Sequence, residues 1–562
     1  MKQRIWIFLL TVPLLSQAEN YLIQGEKSSR IQYRLTQEVQ TGAGTQSLTL
    51  SFVIPQSFDS PTVKQRIENL RLNLAPEPQE RREEQDSRGN RIVRAVWKKP
   101  PASIDAAMEF TAVNRTQLGR LKSGAPFPLN TVPAEVSDYL GESRQVQVND
   151  PRIREKARSL TQSVKTEFDA VQRILTWIVD HMRYVTPPRQ YDALYSFESG
   201  RGNCQNYSHL SAALMRSAGI PVRIVNGVTL KEPYTVNTPE GAFTFKMGQG
   251  RHSWIEVWFP DLGWIPFDPQ QTELFVSNRF VRIEVGVDNE ETVNDGMVQW
   301  RRVKGTSEKP RFRESIDAAF PEDRVQLTLT KQNYGPQAML ICPAIETTFT
   351  PVAVPPPPPP EKVDESRLKT LRYTKPFLFG NLDFPRGVDF LFTHGPAEKK
   401  KDDLFSMTKT FMVETAEYVT TQMTQYAQIF VLQVPVELKS VGLALHKFGG
   451  SGQLWVELMD DAGGRPGKII VSSDFLSLDR LSAKPGYDWV DFDFSGQSLK
   501  LSPGRYWIAL GFTGRPIVNW FYTYGKPVGP IDGTRYKSVY EEKWSGAMTY
   551  EFNYRVTGLA AR

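Results

Sequence analysis

The sequence predicts an α+β protein whose central part packs helices on an antiparallel sheet, with a β-sandwich on each side. Two observations carry this prediction. Apolar and polar residues alternate in short runs before residue 120 and again after residue 405, which indicates strands. Between residues 150 and 220 the apolar residues recur at the 3.6-residue spacing of helices, so the two kinds of structure occupy different parts of the chain.

The length and one proline run divide the chain further. With 562 residues, the chain is long enough for several hydrophobic cores. The prolines at 355–360 favour a stiff polyproline II spacer before the last part. We expect these segments: a signal peptide at 1–18, an N-terminal β-sandwich at 19–125, a central α+β core at 126–300, a β extension at 301–350, a proline-rich linker at 351–404 and a C-terminal jelly-roll β-sandwich at 405–562.

The first residues have the pattern of a secretory signal peptide. Lys2 and Arg4 precede an apolar run at 5–15, and Ser16-Gln17-Ala18 is a small-x-small cleavage site. The run is too short to span a bilayer, although an uncleaved anchor helix is the alternative. We therefore expect a bacterial periplasmic or secreted protein without a membrane span after cleavage.

Composition excludes some functions. The 68 basic and 62 acidic residues give a net charge of +6, which is slight for this length and does not indicate nucleic-acid binding. With five histidines, two cysteines and no His-Glu-x-x-His spacing, the chain offers no recognisable ligand set for a catalytic metal. We expect neither a metal nor another cofactor.

The N-terminal region shows period-two strands separated by Gly, Pro and Asn residues. Such alternation is typical of a β-sandwich, with one face of each strand buried. The clearest strands lie at 31–35, 47–53, 91–97 and 108–113. We find no catalytic residues in this region.

Two helices are predicted in the central region. The stripe of the first consists of Phe168, Val171, Ile174, Leu175 and Ile178. The apolar residues of the second are Tyr207, Leu210, Leu214 and Ala218, and its pattern stops at Gly219, with Pro221 just beyond. The second helix therefore begins at or near Cys204. Partial positive charge in the first turn of a helix lowers the pKa of a cysteine, which makes Cys204 a candidate nucleophile.

A strand hairpin follows the cysteine helix. His252 opens a strand at 251–259, the chain turns at 260–263, and the return strand ends at Asp268. With a two- or four-residue loop, Ile255 would face Asp268 and His252 would lie on the other face of the sheet. A nucleophilic cysteine needs a base and a third group that orients the base, and His252 and Asp268 can act together only from the same face. We therefore predict a bulge or an odd-numbered loop, because either brings the two residues to one face.

These residues lie within three sequence blocks, GRGNCQNYSHLSAALMRSAGIPVRIVNG, GRHSWIEVWF and GWIPFDP, which together resemble the transglutaminase-like core. The resemblance covers roughly residues 130 to 300 and implies a papain-like arrangement of helices on an antiparallel sheet. It also implies Cys204 as nucleophile, His252 as base and Asp268 as the residue that orients the base. The placement of the N-terminal region resembles the immunoglobulin-like domain that precedes many bacterial cores of this family. The pair Gln205-Asn206 departs from the acidic or small residues common in relatives.

Several alternatives remain open for these residue types. Cys204 could form a disulfide with Cys342 or be a plain buried thiol. His209 lies five residues beyond Cys204, which places it on the opposite side of the helix and makes it a poor base. We interpret His181 as a surface or hydrogen-bonded histidine.

Residues around the cysteine are candidates for the substrate cleft. Tyr184 or Gln190 could bind an oxyanion beside the Cys204 N–H. The polar insertion at 231–250 could form part of the cleft or a surface hairpin. Trp254 shares the strand face of His252 and could line the cleft or fill the core.

Residues 405–562 contain short strands at regular spacing, which favours a jelly-roll sandwich and resembles accessory domains of bacterial exported proteins. The run 520–524, Trp-Phe-Tyr-Thr-Tyr, could form an aromatic platform for a cell-surface polysaccharide or fill the core of the sandwich.

The combined hypothesis is an exported thiol enzyme that uses Cys204, His252 and Asp268 for acyl transfer or hydrolysis at peptide or glutamine-type amide bonds, through an acyl-thioester. Its substrate would be a protein or peptide. The alternative is a non-enzymatic adhesion or carbohydrate-binding protein that uses the core as a scaffold.

Overall fold

The structure is a computed structural model. It describes residues 20–119, 121, 123–185, 188–230, 232–238, 241–245, 248–270, 275–304, 308–332, 341–342, 362–381, 391–393, 398–401, 404–407, 412–414, 416–483, 487–523, 533–544, 546–548 and 551–561. The predicted signal peptide, the proline run at 355–360, His394 and Tyr524 lie outside the described residues.

Strands dominate the first and last parts of the chain, and helices lie mainly in the centre. The first strands are β1 (Asn20–Gln40), β2 (Thr45–Ile54), β3 (Phe58–Asp59), β4 (Val63–Ala75), β5 (Glu80–Gln85), β6 (Arg91–Lys98) and β7 (Ser103–Leu118). The central elements are α1 (Ala134–Ser137), α2 (Pro151–Thr161), α3 (Glu167–His181), β8 (Arg183–Tyr184), α4 (Ala193–Ser199), β9 (Arg201–Gly202), α5 (Cys204–Ser217), β10 (Val222–Thr229), β11 (Tyr234–Thr238), β12 (Gly241–Phe245), β13 (Gly250–Phe259), β14 (Gly263–Phe267) and β15 (Phe280–Gly286). After them come β16 (Met297–Arg302), β17 (Arg311–Gln332) and β18 (Ile341–Cys342).

The last part contains one α-helix and many strands. They are α6 (Glu365–Thr370), β19 (Tyr373–Gly380), β20 (Leu391–Thr393), β21 (Glu398–Lys401), β22 (Leu404–Met407), β23 (Met412–Glu414), β24 (Ala416–Thr420), β25 (Thr424–Leu432), β26 (Val436–Gly449), β27 (Gly452–Asp461), β28 (Pro466–Ser472), β29 (Leu476–Ser477), β30 (Asp488–Asp493), β31 (Lys500–Leu501), β32 (Gly504–Gly514), β33 (Ile517–Thr523), β34 (Thr534–Ser538), β35 (Ala547–Met548), β36 (Glu551–Phe552) and β37 (Tyr554–Ala561). Single 3₁₀ turns lie at Asp138–Leu140, Leu478–Arg480 and Ser495–Gln497. Among the helices that the structure describes, none has the length and apolar character needed to cross a membrane.

The N-terminal β-sandwich is built from two separate parts of the sequence. One sheet has the order β17-β1-β7-β4-β3, and the other has the order β21-β22-β16-β2-β6-β5. Buried and accessible side chains alternate along β7, as expected for a strand with one face in the core. Strands β16 and β17 follow the central region in sequence, yet they extend the two sheets that residues 20–118 begin.

The central region packs helices on an antiparallel sheet. Its sheet has the order β15-β10-β13-β23-β20, with β14 paired to β13. The predicted stripe on α3 is fully buried against apolar residues of α5 and of the β13–β14 hairpin. Helix α5 is buried on all sides from Cys204 to Arg216, which fits a helix at the centre of a core. The predicted α+β fold class is confirmed.

The C-terminal part is a second β-sandwich. Its sheets have the orders β19-β37-β26-β33-β24 and β28-β27-β32-β25-β34, and their facing side chains form one core. Of the two alternatives for 520–524, a platform or a core, the described residues bear out the core. Trp520, Phe521 and Tyr522 are at most 3% exposed, and Trp520 stacks on Phe552 with ring centroids 4.2 Å apart. Trp520 and Tyr522 lie in the sandwich core, and Phe521 is buried on the other face of the strand against Tyr418 and Tyr487.

Strands from the last part also join the other two regions. Strand β22 pairs with β16, and β23 meets β13 at Gly250. Strand β35 adds in parallel to β12, so the insertion at 231–250 forms a hairpin that is extended by the C-terminal part. The three regions therefore share sheets.

Candidate active site

Cys204 occupies the first position of α5, where local hydrogen bonds fix the helix start. The Asn203 side chain accepts from the Gln205 N–H at 3.1 Å, and the Asn206 side chain accepts from the Asn203 N–H at 3.1 Å. This reciprocal pair is a capping box, which satisfies N–H groups that have no partner within the helix. The predicted helix start is confirmed, and the thiol lies at the positive end of the helix.

The Asn206 side chain also binds the segment that precedes the cysteine helix. Its amide donates to the Gln190 carbonyl at 3.0 Å and to the Ser196 hydroxyl at 2.9 Å. A Cβ at Gly202 would lie 2.2 Å from the Asn206 Cβ, so only glycine leaves room for this side chain. The departure at Gln205-Asn206 is thus explained structurally at Asn206, which holds the preceding loop against the cysteine helix.

His252 and Asp268 form a buried pair on the hairpin. The His252 Nε2–H donates to Asp268 Oδ2 at 2.7 Å, and Asp268 Oδ1 accepts from the Gln270 N–H at 3.0 Å. Asp268 is fully buried and His252 is 4% exposed. The carboxylate therefore has partners on both oxygens and holds the imidazole in one orientation.

The register of the hairpin explains why these two residues meet. Phe259 pairs with Gly263, which leaves the three-residue loop Pro260-Asp261-Leu262. With this register, the position facing Asp268 belongs to Trp254, two residues from His252 and on the same face. The prediction of an odd-numbered loop is confirmed.

Cys204 lies beside the imidazole of His252. Burial alone lowers the pKa of His252, but the charge and hydrogen bond of Asp268 and the hydrogen bond with Cys204 outweigh burial and raise that pKa to about 10. Because Nε2 is bonded to Asp268, Nδ1 is the nitrogen left to face the sulfur. The imidazole is therefore cationic at neutral pH, and a cation beside a cysteine favours the thiolate.

Tyr191 is a member of the site that the sequence did not single out. Burial, followed by the charge of Cys204, raises the pKa of the Tyr191 hydroxyl to about 12, so the phenol stays protonated next to the thiol. Tyr184 and Gln190 were the two candidates for binding an oxyanion beside the Cys204 N–H. Tyr184 packs in the central core, and Gln190 is exposed. The available signal was the position of Tyr191 next to Gln190, in the segment that leads through α4 to the cysteine turn.

The other cysteine and histidine alternatives are resolved by their contacts. Cys204 is a free thiol, so the disulfide alternative is wrong. His209 donates from Nδ1 to the Tyr191 carbonyl at 2.6 Å and accepts at Nε2 from the Asn289 N–H at 3.2 Å. The His181 Nε2 is bonded to the Phe197 carbonyl at 2.8 Å. Both histidines are satisfied by hydrogen bonds, as predicted for His181.

Aromatic side chains pack behind the His252 ring. The ring of Phe280 meets it edge-on at 5.2 Å, and the Trp254 ring lies 5.9 Å away. Trp254 is 1% exposed, so the core interpretation of this residue holds. These rings cover part of the imidazole and keep water from it.

A buried ion cluster ties the histidine strand to the N-terminal sandwich. Arg251 donates to Glu314 of β17 at 2.7 and 2.8 Å and also pairs with Asp295. These three side chains are at most 2% exposed. Removing one partner of a buried ion pair destabilises a protein by about 3–5 kcal/mol. The sandwich therefore supports the strand that carries His252.

Comparisons with known proteins agree with this geometry. Residues 154–269 match the family model described as the transglutaminase-like superfamily. The uncharacterized Bacillus subtilis protein YebA is 32% identical over 143 residues, which are 24% of this chain and 19% of YebA. A protein-glutamine gamma-glutamyltransferase of Pseudomonas aeruginosa is 33% identical over 75 residues, which are 13% of this chain and 11% of that protein.

Among solved structures, a candidate cysteine protease from Cytophaga hutchinsonii aligns with 59% of this chain and 95% of its own, at 20% identity and a TM-score of 0.36. The chain spans less than a fifth of the length of the two relatives named above. The central region is a cysteine-bearing helix packed on an antiparallel sheet. Within it, residues 154–269 are similar to the transglutaminase-like superfamily, and this match confirms the predicted resemblance.

Proposed function

We propose that this chain is an exported thiol enzyme that transfers or hydrolyses acyl groups of peptide or protein amides. The observation that carries the proposal is the buried contact of Cys204 with a His252 whose pKa is raised to about 10. A thiolate next to an imidazolium supplies both the nucleophile and the acid that the reaction needs.

The reaction would proceed in two steps. The Cys204 thiolate attacks the amide carbonyl, and the Cys204 backbone N–H, which has no acceptor within the helix, donates to the developing oxyanion. The His252 imidazolium gives its proton to the departing amine, which leaves a thioester and a neutral imidazole. His252 then takes a proton from water or from an incoming amine as that group attacks the thioester; the C–S bond breaks, and the Cys204 thiolate and the His252 imidazolium are restored.

The acceptor in the second step decides the class of reaction. Water gives hydrolysis of the amide, whereas an amine gives a new amide bond. The glutamine-directed name of the Pseudomonas relative, at 33% identity over 75 residues, supports glutamine-type or peptide amides as substrates. The signal-peptide pattern at 1–18 supports a periplasmic or secreted location.

The test is alkylation of the secreted, purified protein with iodoacetamide at pH 6, followed by mass spectrometry. We expect rapid modification of Cys204, a strongly reduced rate in His252→Ala and no adduct on this peptide in Cys204→Ala. Cys342 serves as the internal reference thiol. Alkylation of Cys204 no faster than that of Cys342 would contradict the proposal and favour the scaffold alternative.

A further inference from the structure

The outer face of one C-terminal sheet carries an aromatic surface that the thiol chemistry does not use. Along β27, Leu454, Val456 and Leu458 are fully buried in the sandwich core. The alternate residues Trp455 and Glu457 therefore point away from the core. We call the group formed by Trp455, Glu457, Gln425 and Phe475 the Trp455 face.

The indole of Trp455 lies flat on the sheet. Trp455 pairs across strands with Gly511 of β32. A Cβ at Gly511 would lie 2.3 Å from the indole Nε1, 2.4 Å from Cε2 and 2.9 Å from Cδ1. Three consecutive atoms of the ring therefore cover Gly511, which only a residue without a side chain permits. One side of the ring rests on the strand, and the side chain remains partly exposed.

Phe475 forms a wall beside this platform. Its ring stands at 90° to the indole with centroids 5.1 Å apart, and it is 64% exposed. An exposed phenylalanine set perpendicular to a flat tryptophan leaves a corner that an apolar surface can enter. Adjoining apolar groups with a polar rim are typical of binding surfaces, whereas a single exposed hydrophobic residue is not.

A carboxylate borders the platform on its polar side. Glu457 Oε1 accepts from the Trp455 indole N–H at 3.0 Å, and Glu457 Oε2 accepts from the Gln425 amide at 3.2 Å. Each carboxylate oxygen has two acceptor sites, so both oxygens can still accept from a ligand. The same contacts hold the indole and the amide in place before any ligand arrives, which reduces the loss of conformational entropy on binding.

We propose that the Trp455 face binds a neutral polysaccharide. The C–H face of a pyranose ring packs on a flat indole, and its hydroxyl groups donate to carboxylate oxygens. A polyproline segment would fit the aromatic corner but has no N–H donors for Glu457. An acidic polysaccharide would meet the Glu457 carboxylate with charge of the same sign. The inference does not depend on the thiol chemistry proposed above.

The experiment is affinity electrophoresis of the full chain in native gels that contain a soluble β-glucan, a xylan or a galactomannan. We expect at least one of these neutral polysaccharides to retard the protein, and Trp455→Ala to weaken binding at least tenfold. Gly511→Val should weaken it to a similar extent, because it displaces the indole and keeps every polar group. Trp455→Phe should restore part of the binding.

Phe448→Ala is the matched control, because Phe448 is 71% exposed and lies on β26 of the opposite sheet. Its binding should equal that of the unchanged chain. Glu457→Gln keeps the shape of the face and should weaken binding severalfold, which tests the carboxylate if Trp455→Ala does not fold. Retardation by none of the three polysaccharides overturns the proposal. Binding of a synthetic peptide with the sequence of residues 351–362, lost in Trp455→Ala, would also overturn it in favour of a contact within the chain.

Discussion

Two histidines in the central region, His209 and His252, are both buried, yet their surroundings shift their pKa values in opposite directions. Burial lowers the pKa of His209 to about 4, because the hydrogen bond with the Tyr191 carbonyl and the charge of Asp288 raise that pKa too little to offset burial. Asp268 and Cys204 overcome the same burial and raise the pKa of His252 to about 10. Burial alone thus makes a neutral, structural histidine, and one buried carboxylate converts the ring into a cation.

Removing that carboxylate is the most direct way to break the comparison. In Asp268→Asn, burial should act on His252 as it acts on His209, so the imidazole becomes neutral and the thiol loses its cation. We expect alkylation of Cys204 at pH 6 to slow roughly 10- to 100-fold, because the thiolate loses the neighbouring cation that stabilises it. The measurement is the iodoacetamide rate by mass spectrometry.

Asp261→Asn is the control for that change. Asp261 lies in the loop of the same hairpin and is exposed, and it accepts from the Gly124 N–H and the Ser123 hydroxyl. The alkylation rate of Cys204 in Asp261→Asn should stay within about twofold of the rate in the unchanged protein. Equal losses in the two variants would mean that the hairpin as a whole, and not the carboxylate, sets the state of His252.

The number of residues in the hairpin loop, odd or even, decides whether His252 and Asp268 share a face. Changing that number is a second way to separate the histidine from its carboxylate. One glycine inserted after Asp261 makes a four-residue loop and turns Asp268 to the opposite face, whereas two inserted glycines restore the face. We expect the single insertion to slow alkylation of Cys204 roughly tenfold or more, and the double insertion to recover most of the rate. A smooth decline with loop length would contradict this explanation.

His209 should show the structural role by contrast. In His209→Phe the Tyr191 carbonyl and the Asn289 N–H lose their partner in a buried place, which destabilises the fold by about 1–3 kcal/mol. Urea unfolding measures this loss. The alkylation rate at Cys204 should change far less than in His252→Ala, and an equal loss of rate would assign His209 to the chemistry.

The two histidines also give stability opposite dependences on pH. The folded-state pKa of His209 is lowered from 6.5 to about 4, so its contribution is present above pH 6.5 and is lost as the pH falls towards 4. The folded-state pKa of His252 is raised from 6.5 to about 10, so its contribution is complete below pH 6.5 and is lost as the pH rises through 10.

Thermal unfolding between pH 4 and pH 10 measures how stability changes with pH on the acid side and on the alkaline side. We expect His209→Phe to flatten the acid side of the profile and His252→Phe to flatten the alkaline side. The changes should be a few degrees each, because each histidine is one of many titrating groups. An unchanged profile in either variant would contradict the pKa shift assigned to that residue.

The sequence was sufficient for the features that depend on local spacing. The helix start at Cys204 and the stripe on α3 follow from periodicity and stop signals. The odd loop follows from the requirement that Asp268 and His252 share one face of the sheet. Tyr191 could not be identified in this way, because its role depends on a loop that Asn206 fastens to the cysteine helix.

Strand partners and the buried sides of strands were not predictable in the same way. Period-two alternation shows that Trp520 and Tyr522 share a face, but not that the face is inward, or that Phe521 on the other face packs against Tyr418 and Tyr487. The return of β16 and β17 to the first sandwich is also a contact between distant parts of the sequence, which no local pattern encodes.

That return affects the order in which the molecule can be assembled. A chain emerging from its amino end presents β1 and β2 long before their partners β17 and β16 have been made. Until residue 302 is available for β2 and residue 332 for β1, one edge of each strand keeps unpaired N–H and C=O groups that can bind a strand of another chain. The central core must therefore be synthesised while the first sandwich is incomplete, and a cell making this protein has to shield two open sheet edges during that interval.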